Sequence, residues 1–332
     1  MQEPIIKITA LSKRYGELKA VDNLDLTIDK GEVFGLLGPN GAGKSTTILM
    51  LLGLTEPSQG NVRVCGFDPT SRPLEVKKRV GYLPDDVGFY DDRSGLENLL
   101  FTAQLNRIPK ADALRRAGQL LDQVGLTADA QKRTGTYSRG MRQRLGLADV
   151  LIKNPPVIIL DEPTLGIDPQ GVREFLDLIV RLSKEQGITV LLSSHHLHQV
   201  QQVCDRVGLF VGGRLIADGN IDALSTRLFA MEPFMVEAGV SAADTSATDA
   251  GALSQHDIDV LTGLFRDIPD VRSVSYTGEL FRIACRQDQT PAVARTVIDH
   301  GYLLTLLQKK RYGLDEIYHR YFENGKNYGK TA

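Results

Sequence analysis

Three short stretches carry residue types that could do chemistry at a phosphate. In GPNGAGKST, residues 38–46, the glycines let successive backbone N–H groups curl around phosphate oxygens where side chains would block the approach. Lys44 adds a positive charge and Ser45 a hydroxyl that can ligate Mg2+. A helix starting near Gly43 would bring the positive end of its dipole to the same place. Gly38, Pro39, Asn40, Gly41, Ala42, Gly43, Lys44, Ser45 and Thr46 are therefore candidate nucleotide-binding residues. In VIILDEPT, residues 157–164, an apolar strand ends in two acids, and strand ends in open α/β sheets are where ligands bind. Asp161 is a candidate to hold Mg2+ through water, and Glu162 to orient and deprotonate a water attacking a terminal phosphate. TYSRGMRQRLGL, residues 136–147, sets a small hydroxyl residue and a glycine ahead of a basic helix, which is how a second phosphate site begins. One nucleotide does not need both.

The elements that must position these residues read as strands alternating with helices over residues 1–225. IIKITAL and VDNLDLTI alternate like short strands, and GEVFGLLG runs straight into the glycine-rich turn. VIIL and GITVLLSS are near-continuous apolar runs, as parallel strands buried on both faces require. STTILMLLGL and QGVREFLDLIVRLSKEQG read as helices, giving an α/β sheet of the P-loop type. Between about 88 and 155 helical patterns replace strands, and YSRGMRQRL lies at the end of that insertion with Ser138 as a natural N-cap and Met141, Leu145, Ala148 and Ile152 as its apolar stripe.

Beyond residue 229 the order is strand FMVEA, helix DIDVLTGLFRD, a hairpin VRSVSYTGELFRIACR turning at Thr277 and Gly278, helix TPAVARTVIDH and strand YLLTLLQK, a ferredoxin-like succession. Residues 239–256 are small and polar, the composition of a flexible connection. LDEIYHRYF, residues 314–322, reads as an amphipathic helix.

Composition sets limits on partners. At 332 residues the chain is long enough for two domains, and its 42% hydrophobic and 24% charged residues are ordinary globular values. A net charge of -2 gives no bulk reason to expect nucleic acid. The start, MQEPIIKITA, does not read as a secretory signal, and apolar clusters such as ILMLLGL fall short of the ~20 residues that cross a bilayer. Cys65, Cys204 and Cys285 are scattered, which fits reduced thiols in the cytoplasm.

Taken in order, GPNGAGKST, YSRGM, VIILDEPT, IDP and SSH resemble the ATP-binding-cassette (ABC) ATPases across residues 4–225. The resemblance implies a P-loop NTPase core with an antiparallel β subdomain and a helical subdomain (about 88–155) in residues 1–228, followed by a small α+β ferredoxin-like accessory domain in 229–332. It also gives the second phosphate segment a purpose. In that family the signature motif contacts the γ-phosphate held on the opposite subunit, so Ser138, Arg139 and Gly140 would act in trans. Arg139 stands where many relatives have glycine; it either adds charge near the γ-phosphate or faces solvent.

Other positions carry over singly. Tyr15 in KRYG matches the aromatic residue that stacks on adenine, and Val21 would flank the same base. His195 in SSHHLHQV matches the switch histidine that reaches the γ-phosphate. His196 and His198 extend that run, but no carboxylate or cysteine lies at metal spacing beside them. Asp168 in LGID matches the loop that touches the partner subunit. Asp85 in GYLPDD takes the place of a common glutamine, and its oxygens can still bind Mg2+ with those of Ser45 and Asp161.

The resemblance implies an ATP-binding, ATP-hydrolysing subunit that closes head-to-tail with a second copy around ATP and Mg2+ and drives export through a separate integral-membrane permease, on the cytoplasmic face of the membrane. The GYLP-acid pattern and the YS-x-GM-x-QRL run also resemble exporter-type members, including the subunit that helps mature the copper site of nitrous-oxide reductase. An alternative of a different class is a soluble ABC ATPase in translation or DNA repair. Such proteins carry paired cassettes or a long coiled coil, and this chain has one P-loop and no sustained heptads.

Overall fold

The computed structural model describes residues 3–228, 234–242, 253–277 and 279–310. It divides into two compact units, Met1–Asn220 and Ile221–Ala332, so the division falls earlier than the expected boundary at 228.

The first unit opens with β1 (Ile6–Tyr15) and β2 (Leu18–Ile28), and continues through β3 (Val33–Leu37), α1 (Lys44–Leu51) and β4 (Gln59–Val64). β1 pairs antiparallel with β2 and β4 in a three-stranded sheet of order β2-β1-β4. Its alternating residues Ile6, Ile8, Leu24, Leu26, Ile28, Val62 and Val64 are buried in one apolar cluster with Ile48 and Met50 of α1. The chain then runs through α2 (Pro73–Arg79), β5 (Val80–Leu83), α3 (Gly95–Leu105), α4 (Lys110–Gln123) and α5 (Arg139–Leu151). No strand lies between residues 88 and 155, in keeping with the helical patterns there. Ser94 opens α3 with a reciprocal capping box to Glu97, and Ser138 opens α5.

β6 (Val157–Asp161), α6 (Pro169–Gln186), β7 (Thr189–Ser194), α7 (Leu197–Gln201), β8 (Arg206–Val211) and β9 (Arg214–Gly219) complete the unit. The main sheet has order β5-β6-β7-β3-β8-β9, with the first five strands parallel and β9 antiparallel at the edge. Every residue of β3, β6 and β7 is buried, which is why these strands read as unbroken apolar runs. α6 starts at an Asp168 N-cap followed by Pro169 and stops at Gly187 in the left-handed region, the two ends one expects of a helix with a buried Val172, Phe175, Ile179, Leu182 stripe. β3 and β6 therefore deliver GPNGAGKST and Asp161-Glu162 to the same edge of one sheet.

The second unit contains α8 (Ile221–Leu228), β10 (Phe234–Ser241), α9 (Gln255–Arg266), β11 (Val271–Thr277), β12 (Leu280–Cys285), α10 (Thr290–Asp299) and β13 (Leu303–Lys310). Its antiparallel sheet has order β11-β12-β10-β13, and Leu261, Phe265, Val293 and Val297 of the helices share a core with Val236, Ala238, Phe281 and Ile283 of the strands. The expected flexible run at 239–256 gives way to regular structure at both its ends, and residues 243–252 lie outside the described residues. Gly239, Val240 and Ser241 are the end of β10, paired to β13, and Gln255 and His256 already belong to α9, capped by Ser254. Small residues suit a strand buried on both faces as well as a linker. The turn residue Gly278 and the stretch LDEIYHRYF lie outside the described residues.

Candidate active site

A cleft of about 830 Å3 sits at the carboxyl edge of the main sheet, bordered by Tyr15, Asn40 to Thr46, Asp85, Asp161, Glu162 and His195. Its floor is the turn between β3 and α1. Gly43 is at φ 108, and a Cβ there would lie 2.3 Å from the Ala20 carbonyl oxygen and 2.7 Å from the Phe210 ring, so only glycine fits. Lys44 is buried; its Nζ donates to the carbonyls of Gly38 (2.8 Å) and Pro39 (3.3 Å), which fixes the ammonium at the mouth of the turn. Gly38 and Pro39 thus act from beneath the loop and do not line the cleft. Gly213 N donates to Ala42 O at 2.9 Å, bracing the loop from the β8–β9 hairpin.

The acidic wall comes from the end of β6. Ser193 Oγ donates a hydrogen bond to Asp161 Oδ1, which fixes that carboxylate against β7. Glu162 follows at φ 48, a strained backbone for a residue with a side chain, held by its N–H bond to Ser193 O at 3.1 Å. That conformation turns the carboxylate into the cleft. Glu162 Oε2 meets His195 Nδ1 at 2.9 Å, and Oε1 lies 3.5 Å from Lys44 Nζ. Oε1 is buried without a hydrogen bond, and the charge that faces it is the Lys44 ammonium. The same negative edge is felt by Tyr82, whose hydroxyl is pushed up to about 12 by burial and then by the carboxylates of Asp161 and Asp85. The His196 ring lies tilted against that of His195 with centroids 4.0 Å apart, and burial followed by the His195 ring holds His196 below the usual histidine range.

Tyr15 stands at the rim with half its surface exposed and the Lys13 ammonium 5.0 Å from the ring centroid. An exposed ring beside a phosphate-binding turn can stack on a base. Val21 does not accompany it. It is fully buried in the core with Leu24 and Ile48, because the alternation of β2 turns it inward, and the positions facing the cleft are Leu18, Lys19 and Ala20. Val21 as a base-flanking residue is therefore corrected.

Ser138, Arg139, Gly140 and Asp168 do not border this cleft. Ser138 and Arg139 are exposed, and Ser138 Oγ accepts from Met141 N at 3.3 Å as the N-cap of α5. Asp168 accepts from Gly171 N at 3.1 Å as the N-cap of α6. Sequence reasoning missed Gly212, Gly213, Leu165 and Ser193. The paired glycines of VGGR carried a signal, since such a pair marks a tight hairpin turn that can approach another backbone. Ser193 carried none of its own.

The family described as ABC transporter matches residues 21–165. The chain is 42% identical over 223 residues to the bacitracin transport ATP-binding protein BcrA of Bacillus licheniformis, covering 67% of this chain and 72% of that one. This protein belongs to the ABC transporter ATP-binding proteins. The daunorubicin/doxorubicin resistance ATP-binding protein DrrA of Streptomyces peucetius is 40% identical over 223 residues, 67% of each chain. Among solved structures, an ATP-binding subunit of an ABC transporter superposes with TM-score 0.62 at 30% identity, over 68% of this chain and 93% of that one. The ABC family fixes the coarse activity: the chain is the ATP-binding and ATP-hydrolysing subunit of a transporter. Among the described residues no helix is long and apolar enough to cross a membrane.

Proposed function

We propose that the cleft binds Mg-ATP and that Glu162 is the general base for its hydrolysis in an export system. The observation that carries this reading is the Glu162 carboxylate, set in the cleft by a left-handed backbone and held between His195 and Lys44. A water at the Glu162 carboxylate would be oriented toward a γ-phosphate held by the amides of Gly41, Ala42 and Gly43 and by Lys44, with Asn40, Ser45 and Thr46 completing the turn. His195, hydrogen-bonded to the same carboxylate, would fix its direction and reach the γ-phosphate. Tyr15 would stack on the adenine.

The donor set fits Mg2+. Ser45, Asp85 and Asp161 present hard oxygen atoms around one cleft, and no cluster of three His, Cys, Asp or Glu among the described residues could hold a metal unaided. Mg2+ is held in this way, by few carboxylates together with substrate phosphates. When bound, the ion would neutralise charge on the β- and γ-phosphates; the chain's own part is to hold Asp161 through Ser193 and keep Glu162 aimed.

Two copies would close head-to-tail, with Ser138, Arg139 and Gly140 of one completing the phosphate site of the other and Asp168 at the contact. The exposure of Ser138, Arg139 and Asp168 and their absence from the lining of the chain's own cleft support this. A separate integral-membrane permease would transmit closure to the cargo, placing the protein at the cytoplasmic face of the membrane. Relatives named for bacitracin transport and drug resistance support export. The test is Glu162→Gln. Turnover is expected to fall by about 10²–10⁴-fold, the contribution of a general base, while ATP gathers the chain into a dimer on gel filtration. Near-normal turnover removes Glu162 from the role.

A further inference from the structure

Arg139, Gln143 and Gly146 recur at helical spacing on one face of α5, and each meets a segment leading to the cleft. Gln143 is 2% exposed, and its Nε2 donates to the backbone carbonyl of Asp85 at 3.2 Å. Its Oε1 is buried with no donor. A half-satisfied buried amide is unfavourable beside an apolar residue of the same shape, and the one bond it makes is to Asp85. A turn earlier, Arg139 lies across Gly166: a Cβ on Gly166 would be 2.7 Å from Arg139 Cδ and 2.9 Å from Nε, and Gly166 is itself at φ 72. A turn later, the missing side chain of Gly146 admits Leu83 and Val87, since a Cβ would be 2.5 Å from Leu83 Cδ1 and 3.3 Å from Val87. Asp85 borders both the ATP cleft and a second cavity of about 330 Å3 that Arg139 and Gln143 also line.

We propose that Gln143 is a positioning residue that passes the state of the chain's own cleft to its signature segment, with Arg139 as a second tie from the same helix face to the loop at 165–168. The proposal rests on the reading that Ser138 serves the nucleotide of a second copy. Nucleotide in the cleft bears on the Asp85 segment, the Gln143 amide carries that displacement to α5, and Ser138 at the start of α5 moves with it. Occupation of one site then raises the competence of the other. This also places Arg139: its stem packs on Gly166 of its own chain, so its first task is in cis.

The test measures ATPase rate against ATP concentration for the full chain, with monomer affinity for a fluorescent ATP analogue read at dilution. The wild type is expected to give a Hill coefficient approaching the limit of about 2 set by two sites. Gln143→Leu is expected to bring it to about 1 and lower kcat roughly tenfold, with monomer affinity changed by less than about twofold. Gln143→Glu is expected to match it, because a carboxylate cannot donate to the Asp85 carbonyl. Arg139→Lys, which keeps a stem over Gly166, is expected to preserve cooperativity that Arg139→Gly reduces. If Gln143→Leu fails to fold on thermal melting, the exposed Arg139 pair decides. A Gln143→Leu protein with wild-type Hill coefficient and kcat overturns the proposal, as does an Arg139→Gly protein indistinguishable from Arg139→Lys. A hyperbolic wild type that forms no ATP-dependent dimer even as Glu162→Gln fails the two-copy reading, and this inference with it.

Discussion

The two phosphate-seeking segments of the chain are built in opposite ways. Around GPNGAGKST the charged groups are already engaged within the chain: Lys44 on two carbonyls and facing Glu162, Asp161 on Ser193, and Glu162 on His195. Around YSRGM the hydroxyl of Ser138 meets only the N–H of its own helix, and the segment faces solvent. Preorganised dipoles stabilise charge without reorganising at the moment of reaction, so the first segment is competent to grip a phosphate as it stands. The second has the donors, but Ser138 lines neither the cleft nor the neighbouring 330 Å3 cavity, and on the two-copy reading it serves a phosphate brought by another chain. On the proposed two-copy reading, the contrast is between a site that is assembled by folding and one that would be assembled by association.

The largest expected effect that tests this contrast is on the exposed segment. Ser138→Arg puts a long charged side chain where a second copy's γ-phosphate would sit, and kcat should fall by about 10²–10³-fold, comparable with losing an oxyanion-type donor. ATP binding to the monomer should be unchanged, which equilibrium binding at dilution would check. Loss of monomer binding would erase the distinction between the two segments. Lys44→Ala probes the other side. Removing one charge-assisted contact to phosphate should weaken monomer ATP binding by about ten- to a hundredfold, from roughly 1.5–3 kcal/mol. If Lys44→Ala left monomer affinity intact and only slowed turnover, the assembled cleft would not be the phosphate grip.

Which parts of this could be read from the chain follows from the range of the forces involved. The strands of the main sheet, the helical insertion and the β-α-β-β-α-β order are written in local periodicity, because burial on one or both faces dictates the pattern residue by residue. The P-loop is local too: nine consecutive residues make it, and Gly43 is needed where it stands because Ala20 and Phe210 close on it. Asp161 and Glu162 were legible as a strand end. What was not legible depends on partners far along the chain. Whether Val21 faces the cleft or the core depends on the strand's face, and the family comparison chose the wrong one. Ser193 lies 32 residues beyond Asp161 and looks like any strand serine until β6 and β7 pair. Gln143 resembles the exposed basic run around it, and only the packing of α5 against the Asp85 segment buries it.

The smallest expected effect concerns a carboxylate that the cleft does not use. Asp149 lies on α5, the helix that carries the signature segment, and its Oδ1 is buried without a partner. Burial pushes its carboxyl up to about 6, offset in part by a hydrogen bond from Thr102 and by the charge of Lys153. The sign follows from proton counts. Between the unfolded value near 3.8 and about 6 the folded chain holds a proton that the unfolded chain has released, so stability falls as pH rises through that window and stays lower above it. The acids of the cleft are held by Ser193, His195 and Lys44, whereas for this one burial outweighs Thr102 and Lys153. Asp149→Asn keeps the oxygen that Thr102 can bond and removes the charge, so at pH 7.5 it should stabilise the protein by about 2 kcal/mol, or roughly 4–8 °C in Tm for a unit of this size. At pH 4 the gain should shrink toward zero, as thermal melts of the two proteins across that range would show. A gain that persists at pH 4 would trace it to packing, and would leave α5 as free of unpaired charge as the P-loop side.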